Sequence, residues 1–286
     1  MSLNTRPWRT TLWVITAVSA LGLIASAFDP DLRVPFTVAQ IAFVLLHGAR
    51  RYGWNGIAVF VVAGLIISNI MENLSIGTGF PFGNYHYTGG GKIFEVPWFI
   101  GPFYLATGYL AWIVATRLLG DVHRGSPWLT TIGTPVIAAF TMTAWDLAVD
   151  PTAATIQQRW IWEDGGGYFG VPLVNFLGWT LTVYLFVQVF ALYLRSRGPE
   201  PVAGSGLAGD PAGDRTGDLQ AIGLYGLTSL AFFVGYFTNE HTTVTDATGA
   251  VWNTADIYET SALVAVYGMV LFTLLALLRI AQRARV

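Results

Sequence analysis

The chain has 286 residues, of which 53% are hydrophobic and only 11% are charged. Soluble domains carry about 25% charged residues, so the composition excludes an ordinary soluble protein. The absence of cysteine excludes a disulfide framework and a thiolate metal site. The net charge of −2 comes without a basic stripe, so nucleic acid is not an expected partner. We therefore predict an all-α polytopic membrane protein that forms a single transmembrane domain over residues 1–286.

Eight apolar segments, taken in chain order, predict about eight transmembrane helices in one bundle, since a crossing helix needs about 20 apolar residues. The second segment is the shortest and contains Gln40 and His47, so a re-entrant segment is the alternative there. Residues 199–218 are rich in glycine, proline and aspartate, which predicts a flexible cytoplasmic linker. The predicted spans are 11–28, 35–49, 54–72, 97–119, 128–148, 171–194, 221–238 and 257–279.

The basic residues predict the orientation of these helices. With eight spans, twelve arginines fall at the termini and in the even-numbered loops, and only Arg33, Lys92 and Arg159 fall on the other side. Because cytoplasmic loops carry an excess of lysine and arginine, both termini are predicted to be cytoplasmic. The predicted location is the cell membrane, which the chain crosses several times.

Two predicted outer loops have the same sequence pattern. Residues 85–97 and 160–172 each contain two aromatic residues separated by one residue, a glycine triplet, a phenylalanine and a Val-Pro pair that opens the next helix. Aromatic residues that alternate beside a glycine turn predict short β-hairpin-like outer loops. The helices before these loops end in Glu72 and Asp146, and a later helix ends in Glu240. A unit repeated about three times would place these carboxyl groups around one cavity near the outer face.

The candidate catalytic residues are carboxyl groups at predicted helix ends, namely Glu72, Asp146, Asp150 and Glu240. Ionisable groups inside a membrane are costly and usually functional. Few cations accompany these acids, so a carboxyl group in a partly apolar site is expected to keep its proton and act as a general acid. The alternative is that the acids cap helix ends or join helices by hydrogen bonds.

The candidate substrate-binding residues lie close to these acids in the predicted topology. Aromatic ring faces stabilise positive charge, so the aromatic members near the first two acids are expected to face a carbocation. The polar members share helix ends with the acids. The set is Asn73, Tyr85, Tyr87, Trp145, Trp160, Trp162, Asn175, Tyr236, His241 and Glu259.

The sequence gives little support for a cofactor or a metal, and we expect neither. Lys92, the sole lysine, lies in a loop, which argues against a retinal Schiff base inside the bundle. Only His86 and His241 face the predicted outer side, which leaves a mixed histidine and carboxylate metal site as the alternative. The Asp146–Asp150 spacing is similar to a magnesium-binding motif of membrane prenyltransferases, but a second such motif and outer basic residues are missing.

Five segments are specific when taken together: Glu72-Asn73, Phe82-Gly-Asn-Tyr85-His-Tyr87, Trp145-Asp146-Leu-Ala-Val-Asp150-Pro151, Trp160-Ile-Trp162 and Gly167-Tyr-Phe-Gly-Val-Pro-Leu-Val-Asn175-Phe-Leu-Gly-Trp179. Through them, the chain from the third predicted span onward resembles the CruF-type membrane carotenoid hydratases, which include γ-carotene 1′-hydratases and bisanhydrobacterioruberin hydratases. The resemblance implies cofactor-independent addition of water to the terminal C=C bond of an acyclic carotenoid. One lysine against 14 arginines suits a GC-rich, halophilic source. Such a source favours the branch of the family that converts bisanhydrobacterioruberin to bacterioruberin.

The candidate residues agree with the chemistry that this resemblance implies. Hydration of an unactivated alkene needs an acid, groups that stabilise the tertiary cation, and a carboxylate that takes a proton from the attacking water. The partners would be the carotenoid, water and the lipid bilayer, with a homo-oligomer or a complex with other carotenoid-pathway enzymes left open. The alternatives are a carotenoid cyclase or prenyltransferase-like membrane enzyme, and a non-enzymatic pigment-binding or transport protein.

Overall fold

The structure, a computed structural model, describes residues 6–29, 32–198 and 214–283. The described chain is an all-α bundle with short strand pairs, as predicted. Helix α4 continues through a π-helical turn at Pro151–Ile156, and α8 continues through a second π-helical turn at Ala265–Val270 into α9. The helices are α1 (Arg6–Phe28), α2 (Arg33–Thr78), α3 (Ile100–Leu118), α4 (Trp128–Asp150), α5 (Leu173–Arg197), α6 (Asp214–Thr228), α7 (Leu230–Thr238), α8 (Thr254–Val264) and α9 (Leu271–Arg283).

Six helical segments of the described chain are long and apolar enough to cross a membrane by length and composition, so the chain is a multi-pass membrane protein. This count is lower than the predicted eight for two reasons. First, the helices over 35–49 and 54–72 meet at the break at Gly53 and are counted together as α2. Second, α3, which covers most of 97–119, is not among the six. Fifteen of its 19 residues are buried, so it is an interior helix of the bundle. The six segments are 8–28, 37–78, 128–156, 173–197, 215–238 and 254–282.

Helix α2 bends where its two predicted spans meet. Its 46 residues would extend roughly 69 Å if straight, at about 1.5 Å per residue, more than twice the roughly 30 Å hydrocarbon core. The backbone leaves the helical conformation at Gly53, with φ 74° and ψ 164°. A residue with a side chain rarely adopts such a positive φ, whereas glycine does so readily. Beyond the bend, Gly64 lies against Leu105 of α3 and Phe186 of α5.

Helix α4 does not end at its proline. Pro151 has no N–H to donate to the carbonyl oxygen of Leu147, the usual partner four residues back. The Tyr168 hydroxyl donates to that oxygen instead, at 3.0 Å. The chain then continues as a π-helical turn, in which the N–H of Gln157 bonds the carbonyl of Thr152, five residues earlier, at 2.9 Å. The helix therefore extends well past the predicted end at residue 148.

The strands lie together at one end of the bundle, which we call the hairpin end. Strand β1 (Tyr85–Tyr87) pairs antiparallel with β4 (Trp160–Trp162), β2 (Lys92–Ile93) with β3 (Val96–Pro97), and β5 (Thr243–Thr245) with β6 (Val251–Asn253). The outer loops form short strand pairs, as predicted, but the two aromatic segments pair with each other rather than each within its own loop. The β5–β6 hairpin, in the loop between α7 and α8, contains no glycine triplet and was not predicted from the sequence.

The two matching loops adopt matching backbone conformations. Phe94 and Phe169 each lie three residues before the proline of their loop, and their φ angles are 55° and 52°. A positive φ is uncommon for any residue other than glycine. Its occurrence at equivalent positions supports the predicted repeat for the first two units.

At the opposite end of the bundle, two arginines and two aspartates form a closed ring of ion pairs. Arg51 and Arg117 each contact both Asp121 and Asp218, and the pairing of Arg117 with Asp218 measures 3.2 Å. Residues 199–213 of the predicted linker lie outside the described residues. Residues 214–218 belong to α6, and Asp218 is 1% exposed, so the linker ends earlier than predicted.

Candidate active site

A cavity of about 730 Å³, partly open to its surroundings, lies at the hairpin end. We call it the aromatic cavity. Its walls come from α2, α3, α4, α5 and the β1–β4 pair, which are the elements that carry the repeated sequence pattern. Nine of the predicted site residues line it: Glu72, Tyr85, Tyr87, Trp145, Asp146, Asp150, Trp160, Trp162 and Asn175.

Glu72 is held by three phenol groups. The hydroxyls of Tyr85 and Tyr87 both donate to its Oε2 atom, the latter at 2.9 Å, and Tyr104 donates to Oε1 at 2.8 Å. Burial, reinforced by the nearby Glu72 carboxylate, raises the pKa of the Tyr85 and Tyr87 phenols, so both remain neutral donors. Hydrogen bonds from neutral donors to an ionised acceptor are the strong kind. The arrangement suits a carboxylate, which can only accept.

Among the described residues, Asp146 and Asp150 share one donor group, the Asn175 amide. They lie one turn apart on α4 and are 0% and 1% exposed. Asn175, in the first turn of α5, places its amide nitrogen against Oδ2 of both: 3.3 Å from Asp146 and closer to Asp150. The other oxygen of Asp146, Oδ1, is buried without a hydrogen-bond partner among the described residues. The two aspartates therefore receive far less hydrogen bonding than Glu72.

Charge in the cavity is unbalanced. Glu72, Asp146 and Asp150 line it with a single basic side chain, Arg159, which forms no ion pair with them in the described structure. Like charges held close together in a low-dielectric site repel strongly. A cation formed in this cavity would therefore be attracted to its walls.

Aromatic rings cover much of the remaining wall. The register of β1 and β4 pairs Tyr85 with Trp162 and Tyr87 with Trp160, with ring centroids 4.7 Å and 5.9 Å apart. Trp179 on α5 stacks on Tyr104 at 4.4 Å, with an interplanar angle of 8°. Ring faces carry negative electrostatic potential and attract cations.

The structure does not bring the other five predicted site residues to this cavity. Glu240 was predicted to equal Glu72 and Asp146 in position, but it follows the end of α7 and is exposed. Helix α7 packs on α1 and α8 rather than on the helices that carry the repeat, which explains the error. His241 and Glu259 are also exposed. The rings of Tyr236 and His241 are tilted by 39° with centroids 6.4 Å apart, and Asn73 accepts the backbone N–H of Glu95 at 3.0 Å.

Sequence reasoning missed Tyr104 and Trp179, two aromatic residues in helix interiors. Both positions carry the same signal, because each residue lies seven positions after the proline that closes its repeated loop, Pro97 or Pro172. Extending the repeat into α3 and α5 would have paired them. In the described ranges, no group of three or more histidine and acidic side chains is placed to hold a metal ion.

Comparison with known proteins shows the family to which the chain belongs. The sequence pattern of the family described as "Carotenoid biosynthesis protein" matches residues 32–205, more than half of the chain. The chain is also 28% identical over 190 residues to a protein named bisanhydrobacterioruberin hydratase from Haloarcula japonica. That alignment covers 62% of this chain and 62% of the relative. No solved structure matches the chain. The chain belongs to the carotenoid biosynthesis protein family.

Proposed function

We propose that this protein is a carotenoid hydratase that converts bisanhydrobacterioruberin to bacterioruberin. The observation that carries the proposal is one cavity that contains a weakly bonded aspartate pair, a tyrosine-held carboxylate and aromatic walls. The name of the Haloarcula japonica relative supports both the reaction and the substrate. Acid, cation stabiliser and proton acceptor are the three functions that alkene hydration needs.

The aspartate pair is the proton donor in this proposal. Two carboxyl groups that share one amide donor are most stable when they also share a proton, because like charges this close repel. Asn175 occupies the Oδ2 side of both residues. Oδ1 of Asp146 has no partner in the described structure and remains free to deliver the proton. The proton goes to the less substituted carbon of the terminal C=C bond, whose π electrons form the new C–H bond.

Glu72 and the aromatic rings stabilise the tertiary cation that results. Glu72 stays ionised throughout, because three phenol groups already donate to it. Preorganised charge of this kind stabilises a transition state without reorganisation during the reaction. The oxygen of a water molecule then bonds to the cationic carbon and releases a proton to the aspartate pair. The net change is addition of one water, with the enzyme returned to its starting state and no redox change.

The proposal extends to the placement of the substrate and the orientation of the protein. The aromatic cavity takes the end group, and the polyene extends into the bilayer, so the lipid membrane is part of the site's surroundings. The arginine distribution supports a hairpin end on the outer face and cytoplasmic termini. Assembly with itself or with other pathway enzymes stays a prediction.

Pigment analysis tests the function. The chain is produced in cells that accumulate bisanhydrobacterioruberin and, separately, in cells that accumulate lycopene or γ-carotene. Gain of water by the pigment, measured by mass and chromatography, is expected with the first substrate. Asp146→Asn keeps the side-chain shape but removes the transferable proton, and general acid catalysis contributes about 10²- to 10⁴-fold, so the alcohol should fall by that factor.

Glu95→Gln is the matched control, because Glu95 is an acid at the hairpin end whose side chain is 64% exposed. It should leave the alcohol yield unchanged. A product with altered retention but unchanged mass would indicate cyclisation instead. Unchanged pigment in all hosts, with the protein folded in the membrane, would contradict the hydratase proposal and favour pigment binding or transport.

A further inference from the structure

A second cavity lies beside the aromatic cavity at the hairpin end. It has a volume of about 570 Å³ and lies between α1, α7, α8 and the π-helical turn that follows α4. The proposed hydration needs a water molecule as nucleophile and a route by which this water reaches the aromatic cavity.

The two cavities lie on either side of one helix edge. Val149, Ala153 and Gln157 follow one another at four-residue intervals along α4 and the π-helical turn, and with Arg159 they line both cavities. The central residue of this edge is an alanine, so little side-chain volume separates the cavities there. Gln157 is exposed, so this edge also reaches the protein surface.

The second cavity is polar where the first is aromatic. Ser26, Thr152, Asn239, Tyr258 and Ser261 contribute hydroxyl and amide groups to its wall. Ser261 is only 1% exposed, and its Oγ has no hydrogen-bond partner among the described residues. Buried polar groups are almost always satisfied, by protein or by water. A roomy cavity with several polar groups is the kind that holds ordered water.

We propose that the second cavity is a water chamber that supplies the nucleophile to the cation in the aromatic cavity. This inference rests on the proposed hydratase function and adds the binding site of its second substrate. Water enters at the exposed Asn239 and Gln157, binds beside Ser261, and passes the small Ala153. It then reaches the cation next to Asp150, where its oxygen forms the C–O bond and its proton goes to the aspartate pair.

Deuterium exchange separates water supply from proton transfer. In D₂O the aspartate pair delivers a deuteron to the alkene, and the cation either captures water or loses a proton and returns to alkene. When capture is slow, return is more frequent, and deuterium accumulates in the recovered carotenoid. The measured quantity is the ratio of deuterium in recovered carotenoid to alcohol formed. Purified wild-type protein is measured first, and a wild type that forms no alcohol would refute the hydratase function itself.

Two variants of the chamber test the route. Asn239→Leu changes the exposed mouth without disturbing the buried helices, and Ser261→Val removes the buried hydroxyl. Each should raise the ratio about fivefold, the factor expected for losing one hydrogen bond to the supplied water. Thr238→Val is the matched control, because Thr238 is exposed beside Asn239 and its hydroxyl bonds its own helix at Val234.

The control should keep the wild-type ratio. A ratio that stays at the wild-type value in both chamber variants would overturn the proposal, whether the total rate is unchanged or reduced. A fall in alcohol and deuterium together is the result expected from general loss of structure, and the ratio distinguishes it from interrupted water supply.

Discussion

Removing the Tyr104 hydroxyl should slow the reaction more than removing that of Tyr87. The two phenols donate to different oxygens of Glu72. Oε2 receives both Tyr85 and Tyr87, whereas Oε1 receives Tyr104 alone. Tyr104→Phe therefore leaves one buried carboxylate oxygen without a donor, and Tyr87→Phe leaves Oε2 still bonded to Tyr85.

The magnitude follows from the type of hydrogen bond that is lost. A hydrogen bond to a charged group contributes about 1.5–3 kcal/mol. At about 1.4 kcal/mol per tenfold, Tyr104→Phe should lower kcat/KM by about 10- to 150-fold, if the full contribution acts on the transition state. The shared acceptor should limit the effect of Tyr87→Phe to about tenfold or less, near the roughly 1 kcal/mol typical of an ordinary hydrogen bond.

The assay is alcohol formation from the carotenoid by purified variants in lipid vesicles. Tyr225→Phe is the matched control, since Tyr225 is also buried and donates one hydrogen bond, to the Thr141 carbonyl at 2.7 Å, away from the aromatic cavity. It removes the same buried hydroxyl group without touching Glu72. If Tyr104→Phe were no slower than Tyr225→Phe, the view of Glu72 as a preorganised carboxylate would be refuted.

Three further predictions concern other parts of the molecule. Glu240→Gln should change activity by no more than about twofold, as for most exposed substitutions. A large loss would instead support the prediction that Glu240 belongs to the same active site as Glu72 and Asp146. Burial opposes ionisation of Asp121, but Arg51 and Arg117 outweigh it and hold its pKa below the ordinary value. Its stabilising contribution is therefore present above about pH 4 and lost as pH falls further. Asp121→Asn should destabilise the protein by about 3–5 kcal/mol at pH 7 and flatten this acid dependence in thermal unfolding, whereas an unaltered melting temperature would contradict it. Because the chain has no cysteine, a single cysteine can report orientation: Ala247→Cys should react with an impermeant thiol reagent on intact cells, and Ser196→Cys only after permeabilisation, with the reverse pattern refuting the topology.

The sequence predicts the helices well, because membrane spans are set by local composition. The repeated loops were also visible in it, and they correctly identified Glu72, Asp146 and the aromatic strands as neighbours of one cavity. What local pattern cannot give is the pairing between loops. Aromatic residues alternate in the same way whether a strand pairs within its own loop or with the equivalent strand of the other loop. Here the paired strands begin 75 residues apart, at Tyr85 and Trp160.

The third unit shows the limit of the repeat argument. Glu240 lies at a predicted helix end as Glu72 does, but spacing along the chain says nothing about which helices pack together. Helix α7 lies against α1 and α8, so its terminal acid does not reach the cavity. The ion-pair ring was missed for the same reason. Asp218 lies in a polar stretch whose composition predicts a linker, and the sequence does not show that two arginines are its partners.

The most direct test of the account uses purified protein in lipid vesicles with bisanhydrobacterioruberin and oxygen-18-labelled water, without added metal or nucleotide. Wild-type protein should yield the alcohol with the labelled oxygen, and Asp146→Asn should yield little of it while still binding the carotenoid. Full activity in Asp146→Asn, or carotenoid binding by the wild type without any labelled alcohol, would contradict the claim that this cavity hydrates a carotenoid.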